Sequence, residues 1–253
     1  MLYIGANSMY GIEPPCVVKA PLRVRLSTAG HWRSACGRGR MVVDLLSLVG
    51  CVLFLSSSAQ SETGVESFRD LRYDKVIGQT STYTCGAAAI ATLLTFFFDA
   101  PSSEHEIMSL VEESVRDRGK ESDGSQGATA YDLKRSLARK GLDAAGYRVT
   151  LSALEDFFLR GGLPVVVHVT RPTMHFLVVV GVLEGQVLVA DPSWGRSIIP
   201  VVELETCKGM SGIVLVPLPG PDVADHARVK QAAALDWMRS RLARLSSLRE
   251  AMQ

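Results

Sequence analysis

Residue 163 marks a change of period along this chain, and that change limits the folds open to it. Upstream, apolar and polar residues recur at helical spacing. Downstream, apolar residues gather in short runs at 163–169, 175–182, 187–190 and 212–216, rich in Val, Ile and Leu. Pro172, the pair Glu184-Gly185 and the stretch 192–195 supply turns between them. The order predicts an α+β domain with a helical N-terminal half, a C-terminal antiparallel sheet, and a cleft where the two meet.

The helical half divides at its caps. A helix is expected over 85–98, closed by Phe96-Phe97-Phe98 and ended by Pro101. Ser103 and Glu106 form a capping-box pattern for a second helix reaching residue 115. The charged, Gly-containing stretch 116–127 reads as a loop. Thr129 and Asp132 open a third helix over 129–140, with Gly141 where a left-handed cap belongs. Ser152 and Glu155 are expected to cap a short fourth helix ending at Gly161-Gly162. Ahead of them all, 71–77 reads as an extended segment leading to Gln79.

Two regions flank this domain, whose expected span is 68–219. Residues 1–40 scatter Gly, Pro, Arg and Cys without a sustained hydrophobic period, and read as a disordered or upstream extension. Residues 41–60 read as a signal peptide or membrane anchor. Arg33, Arg38 and Arg40 precede an apolar run over 41–55, and Ser56-Ser57-Ser58-Ala59-Gln60 supplies a small-residue exit with cleavage after Ala59. Leu48-Val49-Gly50-Cys51 also resembles a lipoprotein box, which would acylate Cys51. As a retained anchor the run falls short of the ~20 residues that span a bilayer comfortably. Each reading exports the domain, making it periplasmic, secreted or membrane-anchored. At the other end, 222–253 predicts an amphipathic helix with Val229, Ala233, Leu235, Met238, Leu242, Leu245 and Leu248 on one face and arginines elsewhere. Such a helix packs on the domain, binds a partner, or lies on an anionic membrane.

Composition narrows the chemistry. Lys and Arg number 27 against 26 Asp and Glu, which excludes the strongly basic balance of a nucleic-acid binder. Five cysteines, Cys16, Cys36, Cys51, Cys85 and Cys207, are too few and too irregular for a disulfide scaffold or a paired zinc site. A single reactive thiol, with no metal or organic cofactor, is the expectation.

Gln79, Cys85, His175 and Asp191 follow one another in that order, and they are the side-chain types a papain-like thiol hydrolase uses. Cys85 begins a helix, where the macrodipole and free N–H groups favour the thiolate. The ordinary role of a lone cysteine is a small buried hydrophobe. Gly86 and Ala87 to Ala89 are expected to let substrate backbone approach the sulfur, so Gly86 is a cleft candidate. Gln79, six positions upstream, suits an oxyanion hole shared with the Cys85 N–H. His175 opens a strand directly after a Pro-containing turn, where a base can reach across the cleft. Asp191 ends the adjoining strand and is expected to accept the Nδ1 proton of His175. The plainer alternative is a turn-forming Asp before Pro. His168, in mid-strand, is a structural or cleft-lining residue, and Trp194 is either a cleft wall shielding the His–Asp pair or a core tryptophan.

Three motifs, Gln79-x5-Cys85-Gly86-Ala87-Ala88-Ala89, His175-Phe176-Leu177-Val178-Val179 and Asp191-Pro192-x-x-Gly195, together resemble the bacteriocin-processing double-glycine peptidases, peptidase family C-39, a papain-like group. The likeness covers about residues 72–216. It implies a papain-like cysteine endopeptidase with Gln79 at the oxyanion hole, Cys85 as nucleophile, His175 as general base and Asp191 as orienter. It also implies peptide or protein substrates cleaved after Gly-Gly in a leader, with export machinery as a partner. Thr84 stands where many members carry an acidic residue. The best-known members fuse this domain to a transporter and its ATPase; the sequence carries no Walker-type loop, so the resemblance is to stand-alone exported members. Two other classes bear on these residues. A non-catalytic peptide-binding module of the same fold is expected to have lost Cys or His, and both are present. A thiol acyltransferase or cell-wall peptide hydrolase is expected to carry Asp-Cys-Ser-Gly and a second histidine, which Thr84-Cys85-Gly86 and Asp191 fit poorly.

Overall fold

A computed structural model describes residues 67–119 and 127–252. The expectations for 1–40 and 41–60, Cys51 and Ala59 included, lie outside those residues, as does most of the 116–127 loop. Among the described residues the order is α1 (Phe68–Arg72), α2 (Cys85–Phe97), α3 (Glu104–Asp117), α4 (Ala130–Arg139), β1 (Ala144–Arg148), α5 (Leu151–Leu159) and β2 (Val165–Val169). There follow β3 (His175–Leu183), β4 (Gln186–Asp191), β5 (Gly195–Pro200), α6 (Glu203–Thr206), β6 (Met210–Pro217) and α7 (Pro221–Ala251). None of these helices is long and apolar enough to cross a membrane.

The strands form one antiparallel sheet in the order β1-β6-β2-β3-β4-β5. Both faces of its centre are covered, which explains why the strand runs are continuously apolar rather than alternating. Phe176, Val178 and Val180 of β3 face the helical layer together with Val166, Leu188 and Leu215. Leu177 and Val179 point the other way, joining Val167, Val189, Leu154 of α5 and Leu204 of α6. At the middle of the helical layer lies α2, buried at every residue from Cys85 to Leu94 and packed against α3, α4, β3 and α7. A helix apolar all round belongs inside. Its alanines keep it close to the sheet, and each fully buried Leu or Ile contributes about 1.5–3 kcal/mol.

Several local expectations are corrected. The segment read as extended from 71 begins instead within α1, started by Ser67, whose hydroxyl accepts the Asp70 N–H. The cap of α5 is Thr150, which accepts the Ala153 N–H, two residues ahead of Ser152. At α3 only half the capping box forms: Ser103 accepts the Glu106 N–H, while the Glu106 carboxylate pairs with Lys140 at 2.6 Å. The complete box belongs to α4, between Thr129 and Asp132, and Gly141 after it is left-handed at φ 81°.

The face α7 buries matches the expected one only in part, through Met238, Leu235 and Leu242. Ala224, Ala227, Gln231, Ala234 and Met238 are buried, whereas Val229, Leu245 and Leu248 are exposed. The helix comes close to β3 where Gly181 leaves room for Leu235: a Cβ on Gly181 would stand 3.0 Å from Leu235 Cδ2. Gln231 ties the helix down. Its Nε2 donates to the carbonyls of Gly162 (2.9 Å) and Val180 (2.7 Å). Gln231→Ala strands the buried Val180 carbonyl and the half-buried one of Gly162 and is expected to cost about 1–3 kcal/mol in urea unfolding; a loss below about 0.5 kcal/mol would mean that α7 is only loosely attached.

Candidate active site

The sheet delivers an imidazole and a carboxylate to one end. Val178 pairs with Ala190, so Asp191 falls opposite Leu177 and one diagonal step from His175 on the same face, within side-chain reach. His175 Nε2 is 2.8 Å from Asp191 Oδ1. An ionised carboxylate only accepts, so Nε2 carries the hydrogen and Nδ1 is left for the thiol proton. This reverses the expected ring orientation. Nδ1 lies beside the residue's own backbone, and a ring extending from a strand end reaches a neighbouring strand with its distal nitrogen.

Asp191 is anchored on every side. Its side chain is 2% exposed; Oδ1 also accepts the Ser193 N–H (2.9 Å) and hydroxyl (2.7 Å), and Oδ2 faces Lys208 Nζ at 3.3 Å. Burial alone would raise this carboxyl. The His175 hydrogen bond and charge, with Lys208 and Ser193, instead hold it well below the usual carboxylate range.

Cys85 stands at the first turn of α2, facing His175 from the helical wall. Burial pushes the thiol up, but the His175 hydrogen bond, the Phe176 N–H, the imidazolium charge and the Gly86 N–H outweigh it and leave the thiol below its ordinary value. Burial likewise disfavours the imidazolium, yet Asp191 and then Cys85 raise His175 to about 9. A lowered thiol beside a raised imidazole is the electrostatic condition for a thiolate–imidazolium pair. The first N–H groups of α2 precede any intrahelical acceptor and so remain able to bind an oxyanion.

An open groove of about 490 Å³ runs over Cys85 and His175, lined also by Thr82, Tyr83, His168 and Met174. His168 is the cleft-lining residue of the two sequence alternatives. Its Nδ1 is 2.9 Å from Ser211 Oγ, and its ring centroid is 4.8 Å from that of Phe176. Burial, then the neighbouring His175 charge, lower its pKa and favour the neutral ring.

The remaining candidates are placed differently. Gly86 faces inward, where a Cβ would stand 3.0 Å from Leu133 Cδ1 and 3.3 Å from Phe176 Cδ2. Ala87 to Ala89 are wholly buried. These small residues let α2 pack; they do not admit substrate. Trp194 does not line the groove and is no core residue: it is 59% exposed, with the Arg72 guanidinium 3.8 Å from its ring centroid. Gln79 lies in the loop before α2, its N–H on the Pro192 carbonyl (2.9 Å) and its Nε2 on the Ser81 carbonyl (2.9 Å). One Nε2 hydrogen is left over, and Oε1 is buried without a partner among the described residues.

Two contacts were not anticipated. Ser193 was legible as the third residue of an Asp-Pro-Ser turn, in which a carboxylate accepts from two residues on. Lys208 left no signal, because it reaches Asp191 from a link remote from the motif.

Residues 74–221, more than half of the chain, match the Peptidase C39 family. The "Probable functional amyloid protease FapD" of Pseudomonas aeruginosa is 30% identical over 150 residues, covering 59% of this chain and 63% of that one. The protein of the same name from Pseudomonas fluorescens is 33% identical over 135 residues, covering 52% and 56%. The chain thus spans less than two thirds of the length of these curated relatives. A crystal structure of a double glycine motif protease from an AMS/PCAT transporter, in complex with the leader peptide, shares 26% identity at a TM-score of 0.46, with 57% of this chain and 91% of that one covered. The matched span contains Gln79, Cys85, His175 and Asp191 alike, and on it the chain belongs to the Peptidase C39 family.

Proposed function

We propose that the chain cleaves peptide bonds through a Cys85–His175–Asp191 triad and that it cuts leader or precursor peptides after a Gly-Gly pair. The observation that carries the triad is the buried Asp191 carboxylate 2.8 Å from one nitrogen of an imidazole whose other nitrogen is left for Cys85. The Cys85 thiolate attacks the scissile carbonyl. The Cys85 N–H and the spare Nε2 hydrogen of Gln79 hold the oxyanion. His175 passes its proton to the leaving amine, and water then resolves the thioester with His175 as base. In this reading Tyr83, His168 and Phe176, which line the groove, are the side chains that turn away larger residues beside the sulfur.

A second apolar groove, about 390 Å³ between α5 and β6 and lined by Phe157, Val214, Val216 and Leu218, suits the apolar face of a leader helix. Export through residues 41–60 and contact with export machinery belong to the same proposal. N-terminal sequencing separates cleavage after Ala59 from acylation at Cys51 and from retention. The names of the two Pseudomonas relatives favour one variant of the reading, in which the precursor is an amyloid-forming protein.

The test is incubation with Gly-Gly precursor peptides followed by mass spectrometry. Cleavage is expected directly after the second glycine, and changing that glycine to valine is expected to lower kcat/KM by about 10²-fold or more. Equal cleavage of the valine peptide would remove the specificity claim and leave the peptidase intact.

A further inference from the structure

Lys208 sits in the short link between α6 and β6, and that link is fastened to the turn that delivers His175. The Lys208 N–H donates to the Glu203 carbonyl (2.8 Å), and the Lys208 carbonyl accepts from Thr170 (3.2 Å) and Arg171 (3.0 Å). Arg171 Nη1 donates to the Thr206 carbonyl at 2.8 Å, and Thr170 Oγ1 to that of Gly209 at 2.9 Å. The approach is so close that a Cβ on Gly209, itself at φ 65°, would stand 2.5 Å from Thr170 Oγ1. From this rigid base the ammonium reaches Asp191 Oδ2 at 3.3 Å, on the oxygen His175 does not use.

We propose that Lys208 is a positioning residue: it holds Asp191 so that Oδ1 stays on His175, and its charge limits how strongly the carboxylate stabilises the imidazolium. This rests on the triad reading above. The charges around the pair are few. Cys85 faces His175 from α2, His168 from β2 and Asp191 from β4, and Asp191 meets Lys208 from the link. With the ammonium gone, the carboxylate acts unopposed and the imidazolium keeps its proton to higher pH. The upper limb of Cys85 reactivity therefore moves up.

Iodoacetamide alkylation of the full chain, followed across pH by peptide mapping of Cys85 alone, reads this without a substrate. Wild type is expected to give two inflections, the lower from thiolate formation and the upper from loss of the imidazolium proton. Lys208→Met is expected to raise the upper one by about 0.5–1 pH unit, the scale of one charge a few ångströms away in partly screened surroundings. Lys208→Arg is expected to stay with wild type. Lys208→Gln, which keeps a donor and loses the charge, should follow Met and replaces it if the Met variant does not fold. An unmoved upper inflection in the uncharged variants, even with a lowered melting temperature, overturns the proposal, as does Arg shifting as far as Met. A wild-type profile with one ordinary thiol inflection instead rejects the triad, and this inference with it.

Discussion

Replacing Cys85 with alanine is expected to abolish peptide-bond cleavage, with kcat/KM lower by about 10⁴-fold or more, because removing the proposed nucleophile leaves only binding and oxyanion contacts. The fold is expected to survive. Cys85 is 6% exposed and precedes three alanines on α2, so the substitution removes one small atom from a site built for small side chains. The melting temperature therefore separates lost chemistry from lost structure. Cys85→Ser is nearly as inactive, since an alcohol does not surrender its proton to an imidazole as the lowered thiol does. A thiol-directed alkylating probe at mildly acidic pH is expected to modify Cys85 in wild type and nothing in the alanine variant. Probe that persists and maps to Cys207, together with residual cleavage, would reject the proposed nucleophile.

The parts of this molecule legible in its sequence are those where burial and chemistry coincide. Strands β2, β3, β4 and β6 announced themselves because a sheet covered on both faces demands uninterrupted apolar runs. The two strands that were missed, β1 and β5, are the sheet's edges. Ala144-Ala145-Gly146-Tyr147-Arg148 has little intrinsic strand preference and is held by pairing with β6, while Gly195-Arg196-Ser197 opens β5 with few apolar residues to advertise it. Edge strands take their conformation from the neighbour, so the information lies elsewhere in the chain. Within α7 the stripe is only partly the buried one: Met238 is buried and Leu235 and Leu242 pack against the core, while Val229, Leu245 and Leu248 stay exposed and Ala224, Ala227 and Ala234 are buried instead.

At the site, residue types and order pointed to Cys85, His175 and Asp191 because such chemistry needs a helix start, a strand mouth and a strand end, each readable locally. Orientation was not readable. Which imidazole nitrogen meets the carboxylate depends on how far the ring must reach between strands, and Lys208 enters from a link whose position follows from the whole sheet. Gly86 shows the opposite error. A glycine beside a nucleophile invites a functional explanation, yet Leu133 and Phe176 occupy the space a side chain would need.

Asp191→Ala is expected to lower kcat/KM by about 10²–10³-fold and, more tellingly, to move its upper pH limb. In the proposed triad the reactive state is the thiolate–imidazolium pair. It exists between the pH at which the lowered thiol ionises and the pH at which the imidazolium loses its proton, about 9 in the intact site. Burial works against that proton, and Asp191 is the foremost group working for it. Without the carboxylate, His175 falls back toward or below the ordinary histidine value near 6.5. The active range then closes from the alkaline side, while the acid limb moves little or rises. Asp191→Asn keeps an acceptor for the Nε2–H but no charge. It is expected to retain more activity than alanine at the optimum, since the ring remains oriented, yet to show nearly the same drop in the upper limb. That split separates orientation from charge, the two ways a carboxylate can serve a histidine. An alanine variant within tenfold of wild type, with its alkaline limb still near 9, would mean that Asp191 is only a turn residue before Pro192.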